Sequence, residues 1–529
     1  MAVLLEEIVR SLELWLKIVK KPQPFVDPDL DPVLLVPGIA GSILKAVDDK
    51  GNEEQVWVRI LGADHEFREK LWSRFDASTG ETVSLDPNIK IVVPEDRYGL
   101  YAIDCLDPNL LLERECVCYF HDMIVEMLKW GFQEGKTLFG FGYDFRQSNR
   151  LEETLKRFGA KLKSIHDASG GKKINIITHS MGGLLVKCFM CLHTHIFEKY
   201  VKSWIAIAAP FQGAPGYITT SLLNGMSFVN GWQQNLFISK WSMQQLLIEC
   251  PSIYELMACP SYDWKTTPLL EIWKGGTDAD GKSRIMLESY GGADIIDILK
   301  QALSGNRVVY NGVEVVAPFN LDILKWANET HRLLSRAKVP GRVKFYNIYG
   351  INNETPHSVC YGSEQAPVTD LQQILSIQAK YVCVDGDGTV PTESAKADGL
   401  NAIARVGVPG DHRGIICDRH VFRILKHWLK ADHDPYYNPM NDYVILPTAF
   451  EMEKYHEQGV EVTSLKEEWE LISDDKSEPA DKKPLVSSIS VSQVGKDQSS
   501  QAQAHGEIVI YPQKEGKQHV ELRAVSVSN

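Results

Sequence analysis

Nowhere in the 529 residues is there a run of about eighteen uncharged apolar residues, so no membrane-spanning helix is expected. Positive charge is also short: 56 Lys and Arg stand against 69 Asp and Glu, a net charge of −13. Nucleic-acid binding needs a basic face, and this balance argues against it. It leaves a peripheral membrane surface open as a partner, because apolar burial alone can drive such contact. Ten cysteines are present, but their spacing is irregular and implies no disulfide framework. Cys188 and Cys191 fall within an apolar helical run. Cys116 and Cys118 have no matching Cys/His pair nearby. Both pairs read as small buried apolar residues rather than redox or zinc ligands. No internal repeat is visible. The N-terminus lacks the uncharged apolar core of a signal peptide, because Glu6, Glu7, Arg10, Glu13 and Lys17 interrupt it. The expectation is a cytoplasmic protein, not secreted, held peripherally at a membrane.

Apolar residues make up 44% of the chain and charged residues 24%, enough to build a large core. Residues 1–31 read as an amphipathic helix followed by a linker. Leu5, Ile8, Leu12, Trp15 and Val19 form one stripe, and Pro22, Pro24, Pro28 and Pro32 follow. This helix suits either the protein's own core or a membrane surface. Residues 32–472 read as one α/β domain with a doubly wound, mostly parallel sheet. The predicted central strands are Val33–Val36, Ile174–Ile177, Trp204–Ala209, Val343–Tyr349 and Ala402–Val408, all short and predominantly apolar runs. A final helix is predicted over Arg413–Leu429. Two stretches, about 42–115 and 211–340, break the strand–helix rhythm and read as cap or lid insertions. From residue 473 the composition turns to Ser, Lys, Asp, Gln and Pro. Disorder is expected over 474–505, and 506–527 alternates as a hairpin would.

The strongest local signal is Thr178-His179-Ser180-Met181-Gly182-Gly183, an apolar strand, a serine among small residues and then a helix. A serine hydroxyl is a weak nucleophile until a base removes its proton, so it must project from a tight turn at a sheet edge. The helix behind it aims backbone N–H groups at a developing oxyanion. Thr178 stands where glycine is usual in such elbows. Asp387, in Asp385-Gly386-Asp387-Gly388-Thr389-Val390, is the candidate acid, preferred to Asp385 because Val390 then serves as a core anchor. No glutamate closes a twelve-residue calcium loop there. His412 leaves the last strand and is the candidate base. His420 and His427 lie within the final helix, and His179 sits inside the elbow, where its ring packs or orients. The order Ser180, Asp387, His412 is that of α/β-hydrolases. The oxyanion hole needs two N–H donors, and Ile39 and Met181 are the candidates. No cofactor or metal is implied.

Together these residues resemble the lecithin–cholesterol acyltransferase family, whose relatives include lysosomal phospholipase A and phospholipid–diacylglycerol acyltransferase. The resemblance rests on Leu35-Val36-Pro37-Gly38-Ile39-Ala40-Gly41, Gly142-Tyr143-Asp144-Phe145-Arg146, His179-Ser180-Met181-Gly182-Gly183, Ala208-Ala209-Pro210-Phe211-Gln212-Gly213, Gly386-Asp387-Gly388-Thr389-Val390 and Asp411-His412. These motifs run in family order over about 32–430. The pattern is most similar to the family's plant cytosolic, phospholipase A-like members. The resemblance implies that Ser180 takes an acyl chain from a phospholipid, with His412 as base and Asp387 as its support. It also implies that the released chain goes to water or to a lipid acceptor, a sterol or diacylglycerol. Trp57 resembles the aromatic of a lipid-engaging subdomain, and 211–257 resembles a mobile lid. The secreted members' disulfide in the first insertion has no counterpart, because no cysteine lies between Ser42 and Ile103. Ile39 departs from the polar residue or cysteine frequent at its position. Two other readings stay open: a carboxylesterase of small soluble esters, and a lipid-binding protein that keeps the fold without turnover.

Overall fold

The computed structural model describes residues 25–58, 63–107, 118–225, 238–277, 283–431, 485–494, 501–514 and 517–528. The expected N-terminal helix at 3–20 lies outside them, as does the middle of the expected lid, 226–237.

A six-stranded sheet forms the centre. Its strands are β1 (Val33–Val36), β2 (Leu138–Gly140), β3 (Ile174–His179), β4 (Val201–Ile207), β5 (Lys344–Ile351) and β6 (Ala404–Pro409), in the order β6-β5-β4-β3-β1-β2. Every neighbouring pair is parallel. Parallel strands need crossovers, and the helices that make them cover both faces and shut out water. All four residues of β1 and all six of β3 are accordingly buried. Helix α1 (Glu152–Ala168) buries Leu155, Phe158, Leu162 and Ile165, which are three or four residues apart and so share one face. Helix α2 (Gly182–Leu192) is buried through Met190 and apolar except for Lys187, whose ammonium donates to the Asp398 carbonyl at 2.7 Å. The five predicted strands all occur, with ends moved by up to three residues. β2 was not foreseen: three residues at a sheet edge are too few to register as a periodic pattern.

The insertions carry their own small sheets. In the first, Leu44–Val47 pairs antiparallel with Glu53–Trp57 and Lys90–Val92, and Ser73–Asp76 pairs with Glu81–Ser84. In the second, Leu269–Thr277 pairs with Ser283–Gly291. This outer sheet is completed by Asn353–Tyr361 and Lys380–Gly386, so the cap extends past the expected limit at 340. Those two strands follow β5 in the chain, and sheet pairing joins them to the cap together with side-chain bonds, His357 Nε2 to the Thr266 carbonyl and the Tyr361 hydroxyl to Asn224.

Four other expectations are corrected. The single helix predicted at 413–429 is a short turn of helix, Gly414–Cys417, and then α3 (Arg419–Trp428), because the Asp418 carboxylate accepts the N–H groups of His420 and Val421 and starts a new helix. Cys118 is disulfide-bonded to Cys105, because Asp104 and Tyr119 pair their backbones and draw the two cysteines together. Trp57 does not face lipid. It is 1% exposed, its indole N–H donates to the Ala40 carbonyl at 2.7 Å, and it packs edge-on against Phe145. In the tail, Leu485–Val494, Gln501–Lys514 and Lys517–Ser528 form a three-stranded antiparallel sheet that takes in part of the stretch expected to be disordered. A third strand gives the hairpin a partner on its open edge. No described helix is long and apolar enough to cross a membrane.

Candidate active site

The β3 strand ends at His179, and the chain turns sharply into α2. Ser180 occupies that turn with φ of 54°, in the left-handed region where a non-glycine residue is strained. Its N–H donates to the Ile207 carbonyl at 2.9 Å, anchoring the turn to β4. Such a turn requires a small residue two positions on. A Cβ at Gly182 would lie 2.4 Å from the Pro37 carbonyl oxygen, so only glycine fits. Thr178, the departure from the usual glycine, is fully buried, and its hydroxyl accepts the Trp204 indole N–H at 3.0 Å. The larger residue is therefore accommodated by a hydrogen bond instead of by empty space.

The structure brings Ser180, Asp387 and His412 together. His412 Nε2 lies 2.9 Å from Ser180 Oγ, and His412 Nδ1 lies 2.7 Å from Asp387 Oδ2. The carboxylate can only accept, so Nδ1 carries the proton and Nε2 is left to accept from the serine hydroxyl. Asp387 is 1% exposed. Its other oxygen accepts the backbone N–H groups of Thr389 and Val390 at 3.0 and 2.7 Å, and Val390 is buried, as its reading as an anchor required. The His412 N–H donates to the Asp387 carbonyl at 2.8 Å, a second link between the two loops. Asp385 is not part of the group: its carboxylate takes the Asn352 N–H and the Thr392 hydroxyl. Asp411 fixes the turn beyond His412 by accepting from the N–H groups of Arg413 and Gly414.

The loop after β1 closes the other side. A Cβ at Gly38 would lie 3.0 Å from Ser180 Oγ, so this glycine lets the backbone come up to the serine hydroxyl. Among the described residues, neither the Ile39 nor the Met181 N–H has an acceptor. Met181 stands at the head of α2, where a free N–H is inherent to helix geometry. Two unpaired donors thus flank the serine, which is what a developing oxyanion requires. Tyr143 donates its hydroxyl to the Pro37 carbonyl at 3.0 Å, and the buried Arg146 forks onto Asp144 and reaches the Leu71 carbonyl. The Gly142–Arg146 motif therefore braces the oxyanion loop and ties in the first insertion. Gln212 and Gly213 bond Ser394 and Ala397, steadying the segment after Asp387.

Sequence reading missed Tyr119, whose hydroxyl sits between Gly38 and His179. An aromatic residue between the first insertion and the helix that begins at His121, far in the chain from every motif, carries no local signal. The group of described residues close enough to hold a metal ion is Cys105, Cys118 and His121, and its two sulfurs are joined to each other. Cys188 behaves as a buried apolar residue, with burial pushing its thiol well above the ordinary range.

A parallel sheet, a strained serine at a strand–helix turn, an aspartate on the crossover between β5 and β6 and a histidine just after β6 define an α/β-hydrolase. Residues 69–398 match the family model for lecithin:cholesterol acyltransferase. The chain is 63% identical over 533 aligned positions to "Lecithin-cholesterol acyltransferase-like 4" of Arabidopsis thaliana, covering 100% of this chain and 99% of the relative. It is 48% identical over 409 positions to "Phospholipase A(1) LCAT3" of the same plant, covering 76% of this chain and 91% of the relative. In the crystal structure of the Tle4–Tli4 complex, one chain is 16% identical with a TM-score of 0.43, covering 77% of this chain and 99% of that one. The chain belongs to the lecithin:cholesterol acyltransferase family.

Proposed function

We propose that this protein moves an acyl chain from a glycerophospholipid to water or to a lipid alcohol, by way of an ester on Ser180. The observation that carries the reading is the alignment of Ser180 Oγ, His412 Nε2 and Asp387 beside two unpaired backbone donors. Ser180 Oγ attacks the ester carbonyl while His412 Nε2 takes its proton, and the carbonyl electrons move to an oxyanion facing the Ile39 and Met181 N–H groups. Collapse breaks the bond to the glycerol oxygen, which leaves as lysophospholipid with the proton from His412. Water or an alcohol then gives its proton to His412 and attacks the acyl-enzyme. Fatty acid or a new ester departs, and the proton returns to Ser180. Asp387 keeps its carboxylate throughout and stabilises the imidazolium. The relatives' names cover both outcomes, phospholipase A(1) and acyltransferase. A sterol or a diacylglycerol is the alcohol expected in the second case. The reading sets the reaction at a membrane surface facing the cytoplasm, because a two-chain phospholipid stays in its bilayer. The apolar stripe predicted over 3–20 supports that placement.

The test is turnover of phosphatidylcholine with distinguishable acyl chains in mixed vesicles, with and without diacylglycerol or sterol. Ser180→Ala is expected to lower product formation by about a thousandfold or more while the protein stays folded. Full activity in Ser180→Ala would end the reading. Equal turnover of monomeric short-chain esters, indifferent to vesicles, would move it to a soluble carboxylesterase. Wild type that neither turns over nor labels with a fluorophosphonate would move it to lipid binding.

A further inference from the structure

Resting on the acyl-transfer reading, we propose that Tyr119 and His179 are positioning residues that hold the oxyanion loop and the base loop in register across the nucleophile. The chain of contacts is unbroken. The Gly38 N–H donates to the Tyr119 hydroxyl oxygen at 2.8 Å, that hydroxyl lies 2.5 Å from His179 Nδ1, and His179 Nε2 lies 2.8 Å from the His412 carbonyl oxygen. Both ends are backbone groups, and this fixes every proton between them. A carbonyl only accepts, so His179 Nε2 carries the proton. Burial holds the imidazole well below its ordinary pKa, and the nearby His412 and Arg413 push the same way, so the ring is neutral and Nδ1 accepts. The tyrosine hydroxyl must then donate to Nδ1, which leaves its oxygen free to accept from Gly38. Burial also raises the Tyr119 hydroxyl pKa, keeping its proton in place.

Each joint touches the chemistry at one remove. Gly38 precedes Ile39, and holding the Gly38 N–H fixes the Pro37–Gly38 peptide, next to the Gly38–Ile39 peptide from which the free Ile39 N–H projects. His179 precedes Ser180. The His412 carbonyl belongs to the same residue whose ring takes the serine proton, and the two histidine rings stand 4.8 Å apart. Tyr119 is held from behind by backbone bonds from its own N–H to Asp104 and from the Phe120 N–H to Ile103, so its hydroxyl is a fixed reference point. A free Gly38 N–H could otherwise turn toward the substrate carbonyl and draw it off the Ile39 and Met181 donors.

Tyr119→Phe, His179→Asn and the double variant test this in the full chain. Active sites are titrated to completion with a fluorophosphonate, and turnover is followed on phosphatidylcholine vesicles. Each single variant is expected to lower kcat per titrated site about 10- to 100-fold, with KM changed by no more than about twofold. The double variant is expected to fall within about threefold of the weaker single, because the two side chains act as one unit. A merely structural role would instead reduce the number of titratable sites and leave kcat per site unchanged, which would overturn the proposal. So would a Tyr119→Phe enzyme with wild-type kcat per site, or losses that multiply in the double variant. Wild type with neither label on Ser180 nor vesicle turnover would defeat the acyl-transfer reading and the relay with it. An active wild type with an unaffected Tyr119→Phe defeats the relay alone.

Discussion

Histidine 331 is buried and 7% exposed, with Nε2 2.9 Å from the Glu255 carbonyl oxygen. Burial lowers its pKa below the ordinary value. The unfolded chain therefore binds a proton below about pH 6.5 that the folded chain refuses, and stability falls with pH through that window by up to about 1.4 kcal/mol per pH unit. Above about pH 7.5 both states are neutral and the effect vanishes. The Glu249 and Glu255 carboxyls run the other way, since burial raises both and acid relieves their cost. A comparison within one background separates the histidine from them. His331→Gln keeps a donor for the carbonyl but cannot titrate. Urea unfolding at pH 7.5 and 5.5 should show wild type losing about 1 kcal/mol more than the variant. Equal losses would mean that His331 is protonated in the fold.

At the scale of the element, α3 illustrates a boundary set by one side chain. The apolar periodicity of Ile416, Val421, Ile424, Leu425 and Trp428 reads straight through Asp418, yet its carboxylate accepts from His420 and Val421 at 2.7 and 3.1 Å and opens a new helix. Asp418→Ala is expected to destabilise the protein by about 1 kcal/mol, and Asp418→Asn by much less, as read from urea midpoints. An unchanged Asp418→Ala would mean that packing alone sets the helix start. The central strands were legible because residues buried on both faces are predominantly apolar. The outer-sheet strands were not. Glu271, Lys274, Glu288 and Ser289 interrupt the apolar residues there, and a half-exposed strand between turns resembles a loop in composition.

Across the whole molecule, Glu255 joins three regions. Its carboxylate is 1% exposed and accepts from Ser148 Oγ, the Asn149 backbone N–H, Asn149 Nδ2 and Thr330 Oγ1. The loop before α1 belongs to the core, whereas Glu255 and helix Leu321–Leu334 belong to the second insertion. The two Asn149 groups can only donate, and Ser148 Oγ already accepts from the Arg150 N–H and Trp326 Nε1, while the Thr330 hydroxyl can turn to the Trp326 carbonyl. Glu255→Gln can therefore turn its carbonyl toward Asn149 and should cost about 1 kcal/mol. Glu255→Leu strands both Asn149 donors and should cost about 3 kcal/mol or more, at roughly 1–3 kcal/mol for each buried unpaired group. Chemical denaturation of the two variants would check the order, and equal stability would show that the carboxylate does not pin the insertion.

By itself the sequence pointed to the parallel core and the elbow, and it singled out Ser180, Asp387 and His412, which the fold brings within hydrogen-bond reach of one another. Each lies at the end of an apolar strand, in a turn whose composition is local. Ile39 and Met181 were named for the same reason, since a backbone N–H needs only the right turn. What only the tertiary structure decided are the contacts between segments distant in the chain. Tyr119 reaches Gly38 and His179 from 81 and 60 residues away, Trp57 serves the Ala40 carbonyl and not a lipid surface, and Asn353–Tyr361 completes the sheet of the second insertion. A hydrogen bond between remote segments leaves no periodicity in either one, so it becomes visible only once the fold has brought them together.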